Sequence, residues 1–182
     1  MTPNRLGLVI GAIFGLIYVV VNARALPSPV GPLLQVLGAV TFVGVLVVLR
    51  RARTTQVDDD AQRRGSGQAY WLVAAAEVAA GAVGIVLLNG PFDLPQGVLP
   101  WVSFVVGVHF FGLAKVWGES SLGWLGAGIT VLGALGLGLA SAGASDATIA
   151  SIAGVCPGAL LLTGSLWGAA QQWQRSRANR LA

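Results

Sequence analysis

Six apolar runs, each close to the length of a bilayer crossing, leave this chain few ways to fold. A helix needs about 20 predominantly apolar residues to traverse a hydrocarbon core of roughly 30 Å. Residues 6–23, 30–49, 69–89, 98–117, 121–142 and 147–170 meet that need. The runs are continuously apolar rather than alternating, which selects helices over barrel strands. The connectors hold the residues that end helices. Pro27 and Pro29 follow the first run, Asn89-Gly90-Pro91 through Pro95-Gln96-Gly97 follows the third, and Gly118-Glu119-Ser120 follows the fourth. Ser145 or Asp146 stands where a side-chain oxygen could cap the sixth helix. The predicted fold is all-α, a polytopic integral membrane protein with six transmembrane helices. It forms one domain over residues 1–182, with a polar loop at 50–68.

Composition closes off the alternatives. Only 10% of the residues are charged and 55% are hydrophobic, against about 25% charge in a soluble domain. The surface of a water-soluble globule could not be coated, and a disordered chain would need the opposite balance. The arginines fall in short runs between apolar segments, so no continuous basic face exists for nucleic acid. One cysteine excludes a disulfide framework and a thiolate metal site. No phosphate-binding loop, zinc-protease, nucleophile-elbow or dinucleotide pattern is present, so neither cofactor nor metal is expected.

Orientation follows from the cations. With the N-terminus in the cytoplasm, Arg5, Arg50, Arg51, Arg53, Arg63, Arg64, Lys115, Arg175, Arg177 and Arg180 fall inside, and Arg24 alone falls outside. Both termini are therefore predicted to be cytoplasmic. Trp71, Trp117, Trp124, Trp167 and Trp173 cluster near the inner ends and Trp101 near the outer, where indoles favour the headgroup level. The arginine excess over lysine and the Ala, Gly and Val content suggest a bacterial inner-membrane protein. Arg5, the following apolar run and Ala23-Arg24-Ala25 have the order of a secretory signal with its cleavage site. The run is long for a signal and five spans follow, so residues 1–25 are expected to stay as an anchor.

Between helices in lipid, close backbone approach replaces the hydrophobic drive. Gly7, Gly11 and Gly15 line span one, and Gly126 and Gly138 belong to a small-residue stripe on span five. These faces are expected to pack within the monomer, or to form a homo-oligomer or partner surface. The remaining partners are the bilayer and anionic headgroups at the cytoplasmic face, met by the arginines.

Two residues could carry chemistry. Glu77 lies about eight residues into span three, roughly 12 Å below the boundary at 1.5 Å per residue. A charge there costs roughly 3 kcal/mol, so Glu77 should face the bundle interior. His109 is the one histidine. Spans three and four form a hairpin centred near Asp93, and Glu77 and His109 each lie sixteen positions from that centre. A symmetric hairpin puts them at one depth, which makes a Glu77–His109 contact the expected site. Such a pair serves as a helix clamp, as a proton relay, or as a general acid–base pair on a lipophilic substrate.

Lesser signals complete the inventory. Pro157 beside Cys156 should kink span six near Ala153. Tyr18, Asn22, Gln35, Asn89 and Asp93 could line an outward vestibule. Lys115 should snorkel to the headgroups, and Glu119 is accounted for by capping or solvation. Asp58-Asp59-Asp60 suggests a divalent cation or diphosphate, but one carboxylate cluster without a second reads as a solvated linker. The leading functional expectation is a transporter-like or proton-linked permease centred on Glu77 and His109. The alternatives are an accessory subunit packing through glycine faces and a membrane-embedded enzyme.

Overall fold

A computed structural model describes residues 5–52 and 68–178. Among them are six helices long and apolar enough to cross a membrane, and no strand. They are α1 (Arg5–Asn22), α2 (Val30–Arg51), α3 (Gln68–Asn89), α4 (Val98–Trp117), α5 (Ser120–Ser141) and α6 (Asp146–Ala178). Five agree closely with the apolar runs. The sixth continues past residue 170 because Gln171 through Ala178 contain no Gly or Pro. Arg175 and Arg177 in its last turn suit the partial negative charge of a helix C-terminus. Arg177 also lies 5.3 Å over the Trp173 ring. The aspartate cluster at 58–60 and Arg53, Arg63, Arg64 and Arg180 lie outside the described residues.

Local chemistry sets the helix ends. Ser145 accepts a hydrogen bond from the Thr148 N–H and caps α6, as its residue type allows. Gly118 ends α4 at φ 67°, a left-handed conformation that other residues reach only with strain. The two-residue link to α5 depends on it. Glu119 caps nothing with its side chain, and its carboxylate accepts from the Ser121 hydroxyl.

Helix α6 is the centre of the bundle, packed against α1 and α2 on one side and α5 on another. Its apolar core with α1 and α2 holds Ala12, Val19, Val45, Leu49, Leu162 and Ala169. Gly11 and Gly15 face Ser165 and Gly158, so that a Cβ on Gly15 would lie 2.9 Å from the Gly158 carbonyl oxygen. Arg5 donates to the Leu49 carbonyl at 2.6 Å, and Gln35 to the Val20 carbonyl at 2.9 Å, tying α2 to α1 at two levels. Gln35 is therefore a staple between helices rather than a vestibule residue.

The α4–α5 hairpin is the other tightly closed unit. Gly107 of α4 lies against Thr130, and Gly126, Gly133 and Gly136 of α5 lie against Phe110, Phe104 and Pro100. The expectation for glycine faces divides here. Gly11, Gly15 and Gly126 pack inside the monomer. A Cβ at Gly7 or Gly138 would meet nothing within 4 Å. Gly138 instead borders a shallow outward groove with Val131, Ala134, Leu135 and Leu139.

Helix α3 is the edge of the bundle. It packs on α4 and the turn before it, and Gly84 and Leu88 are buried there. The seam is regular. Tyr70 stacks on Trp117 at 6.2 Å between centroids, Val73 fills the notch at Gly112, and Gly84 receives the Trp101 indole. Contacts at 70, 73, 77, 84 and 88 follow the three-and-four spacing of one helical face. Trp101 donates its indole N–H to the Ala80 carbonyl at 3.1 Å.

Candidate functional site

The α3–α4 seam places Glu77 against His109. Glu77 Oε2 lies 3.1 Å from His109 Nδ1, with 28% of the carboxylate side chain and 13% of the imidazole side chain exposed. The separation is that of an ion pair, although the Nδ1 position has no aligned hydrogen-bond partner among the described residues. Phe110 meets the ring edge to face at 6.2 Å. The pair can exist as carboxylate with imidazolium, or as two neutral groups. A proton can cross between them without changing the net charge of the site, which limits the electrostatic cost of the transfer in a low-dielectric interior.

A second polar junction lies toward the Asn22 end of α1. The Cys156 N–H reaches back five residues to the Ser151 carbonyl, and Ser151–Val155 form a π-helical turn. The expected kink at Cys156-Pro157 thus takes the form of a widened turn. Pro157 has no N–H to give the Ala153 carbonyl four residues earlier. The fully buried Ser103 of α4 supplies the missing donor, its hydroxyl giving its proton to that oxygen. Sequence reasoning missed Ser103. A signal for it exists, because a mid-span proline implies a carbonyl needing a donor from a neighbouring helix. Replacing Ser103 by Ala should cost about 1–2 kcal/mol, measured by reversible unfolding in mixed micelles. Adding Pro157→Ala, which restores a backbone donor, should recover most of that loss.

Tyr18 and Asn22 come together as expected, but in different company. They line a laterally open groove of about 320 Å³ with Ile17, Val21, Val98, Leu99 and Val102. Asn89 and Asp93 are not among its walls. Asn89 donates to the Ile85 carbonyl of its own helix, and Asp93 sits exposed in the turn at φ 44°. Asn89 and Asp93 thus do not join Tyr18 and Asn22 in this groove. The walls between α1 and α4 are largely apolar. Asn22 gives its amide proton to the Tyr18 carbonyl and packs against Gly154. Tyr18 sits on Gly158, and its hydroxyl is buried. No aligned partner remains for the Tyr18 hydroxyl among the described residues.

Lys115 is exposed near the end of α4. Cys156 is half-buried, and its thiol is free. No group of three or more metal-ligating side chains occurs among the described residues. Comparison with family models, with curated proteins and with solved structures gives no match.

Proposed function

We propose that this chain is a proton-linked membrane transporter whose working centre is the Glu77–His109 pair. It would sit in a bacterial inner membrane with both termini in the cytoplasm, the orientation favoured by the distribution of arginine and lysine. The observation that carries the reading is the 3.1 Å approach of the carboxylate to the imidazole within two apolar spans. Ionisable groups at such depth are costly, and they recur where protons or ions are moved. Helix α3 supports the same reading. Among the described residues it packs mainly on α4 and the turn before it, so displacing it disturbs fewer contacts than displacing α6. A change in the proton count of the pair would alter the attraction across that seam and bias α3 between two positions.

The test uses Glu77→Gln in two measurements. Reconstituted into vesicles loaded with a pH-sensitive dye, the wild-type chain should convert the gradient of some solute in a panel of amino acids, sugars, amines and metal cations into a lumenal pH change. Glu77→Gln should reduce that change at least tenfold, about 1.4 kcal/mol in barrier terms. In reversible unfolding at neutral pH, the same variant should be as stable as wild type or more so, because functional polar groups are commonly kept at a cost in stability. A loss of about 1–3 kcal/mol together with unchanged proton movement would make the pair a helix clamp and overturn the proposal.

A further inference from the structure

The ends of α1, α2 and α6 meet at one face of the bundle, and each of them carries arginine. Contacts between the helices fix their register. Gly15 of α1 lies against Leu161 of α6, and Gly11 lies against Ser165. Six residues before Gly11 and six after Ser165, Arg5 stands level with Gln171. Leu161, Gly168 and Arg175 recur at a seven-residue spacing, which returns to one face of a helix. Leu161 and Gly168 are buried, Leu161 against α1, whereas Arg175 is exposed. Arg175 thus continues the α1-facing seam of α6 one turn past the level of Arg5, about 6 Å further along the axis. On the α2 side, the Arg5 guanidinium donates to the Leu49 carbonyl at 2.6 Å. That carbonyl belongs to the last turn of α2, where the helix supplies no donor of its own. The bond holds the guanidinium beside Arg50 and Arg51, which follow Leu49 and are exposed.

Neither α1 nor α2 carries an acidic side chain, and the single one on α6, Asp146, lies in its first turn at the opposite end. Arg5, Arg50, Arg51 and Arg175 therefore share one end of the bundle with no carboxylate on the helices that bear them. Leu6 and Val47 lie just below this cluster, 50% and 40% exposed. Cations at headgroup level above bare apolar flanks suit an anionic amphiphile. We propose that the joined ends of α1, α2 and α6 form a binding site for a lipid of the cardiolipin class, with two phosphates and several acyl chains. Arginine meets phosphate through paired N–H donors, and basic pockets between spans favour such headgroups. A lipid with one phosphate would leave more of the repulsion among the guanidiniums in place. A soluble diphosphate would match the charge and leave Leu6 and Val47 uncovered. The bound lipid would tie α1 and α2 to the end of α6. The proposal goes beyond the transport reading and does not depend on it, because binding needs neither a solute nor a gradient.

The test titrates the full-length chain, freed of lipid in a neutral detergent, with cardiolipin and counts the bound complexes by native mass spectrometry. Wild type should bind cardiolipin at least tenfold more tightly than phosphatidylglycerol, which has one phosphate; equal affinities would overturn the proposal. Arg5→Gln combined with Arg175→Gln should weaken cardiolipin binding at least tenfold. Lys115→Gln, which removes an exposed cation from the end of α4, should weaken it less than twofold. Equal weakening per charge removed would show that the lipid answers to net charge alone, and would overturn the site. If the Arg5 variant does not fold without its bond to Leu49, Arg50→Gln with Arg51→Gln keeps that bond and should weaken cardiolipin at least fivefold. An unchanged affinity there would again overturn the proposal. Inorganic pyrophosphate in excess should leave the lipid bound. Displacement by pyrophosphate would assign the arginines to a soluble diphosphate and reject the lipid.

Discussion

Gly133→Leu should be the most damaging single change in the α4–α5 hairpin, lowering stability by about 3 kcal/mol. A Cβ at this position would lie 2.6 Å from the Phe104 Cα. The obstacle is backbone, which cannot rotate aside as a side chain can. Relief requires α4 and α5 to separate along their length, and that loosens Gly107 from Thr130 and Gly126 from Phe110 as well. Gly138→Leu on the same helix is the matched comparison. Nothing lies within 4 Å of its Cβ position, so the added leucine would meet lipid and change stability by less than about 0.5 kcal/mol. Reversible unfolding of both variants in the same micelles checks the contrast. Equal losses would mean that α5 carries its close contacts on a different face.

Charge reversal at Glu77 should be comparably severe. Glu77→Lys would set an ammonium beside His109 at a position where the carboxylate now stands 3.1 Å away. Lysine exchanges one costly ionisable group for another, so the loss comes from leaving a buried ammonium with no acidic partner among the described residues of the seam, about 3 kcal/mol. Pairing the change with His109→Glu restores one acid and one base across α3 and α4. The double variant should therefore regain at least about 1 kcal/mol relative to the sum of the two single losses. Additive losses would show that the two groups stand near each other without acting as a pair.

Much of this arrangement is legible in the residues because the relevant rules are one-dimensional. Run length places the spans, and Pro, Gly and Ser place their ends. The equal spacing of Glu77 and His109 from Asp93 anticipates their common depth because an antiparallel hairpin preserves distance from its turn. Neighbour relations are not legible. Small residues recur at three- and four-residue spacing in span after span, so Gly7 and Gly138 read much as Gly15 and Gly126 do. Only the three-dimensional packing separates those that meet a helix from those that do not. Tyr18 reads as a companion of the loop residues because its distance from the end of α1 suggests an outward position. What its side chain packs against depends on which helix stands beside α1.

The central position of α6 has a consequence for assembly. As the chain enters the membrane in order, α1 and α2 can close on each other, and so can α4 with α5. Neither pair has its main scaffold until the sixth span arrives, because α6 supplies the surface on which α1, α2 and α5 meet. The early spans must wait as two separate units, α1–α2 and α3–α4–α5, with the small residues of α1 facing lipid where Gly158 and Ser165 will later stand. Completion is therefore a late, long-range event, and insertion of one helix converts two independent units into a single bundle.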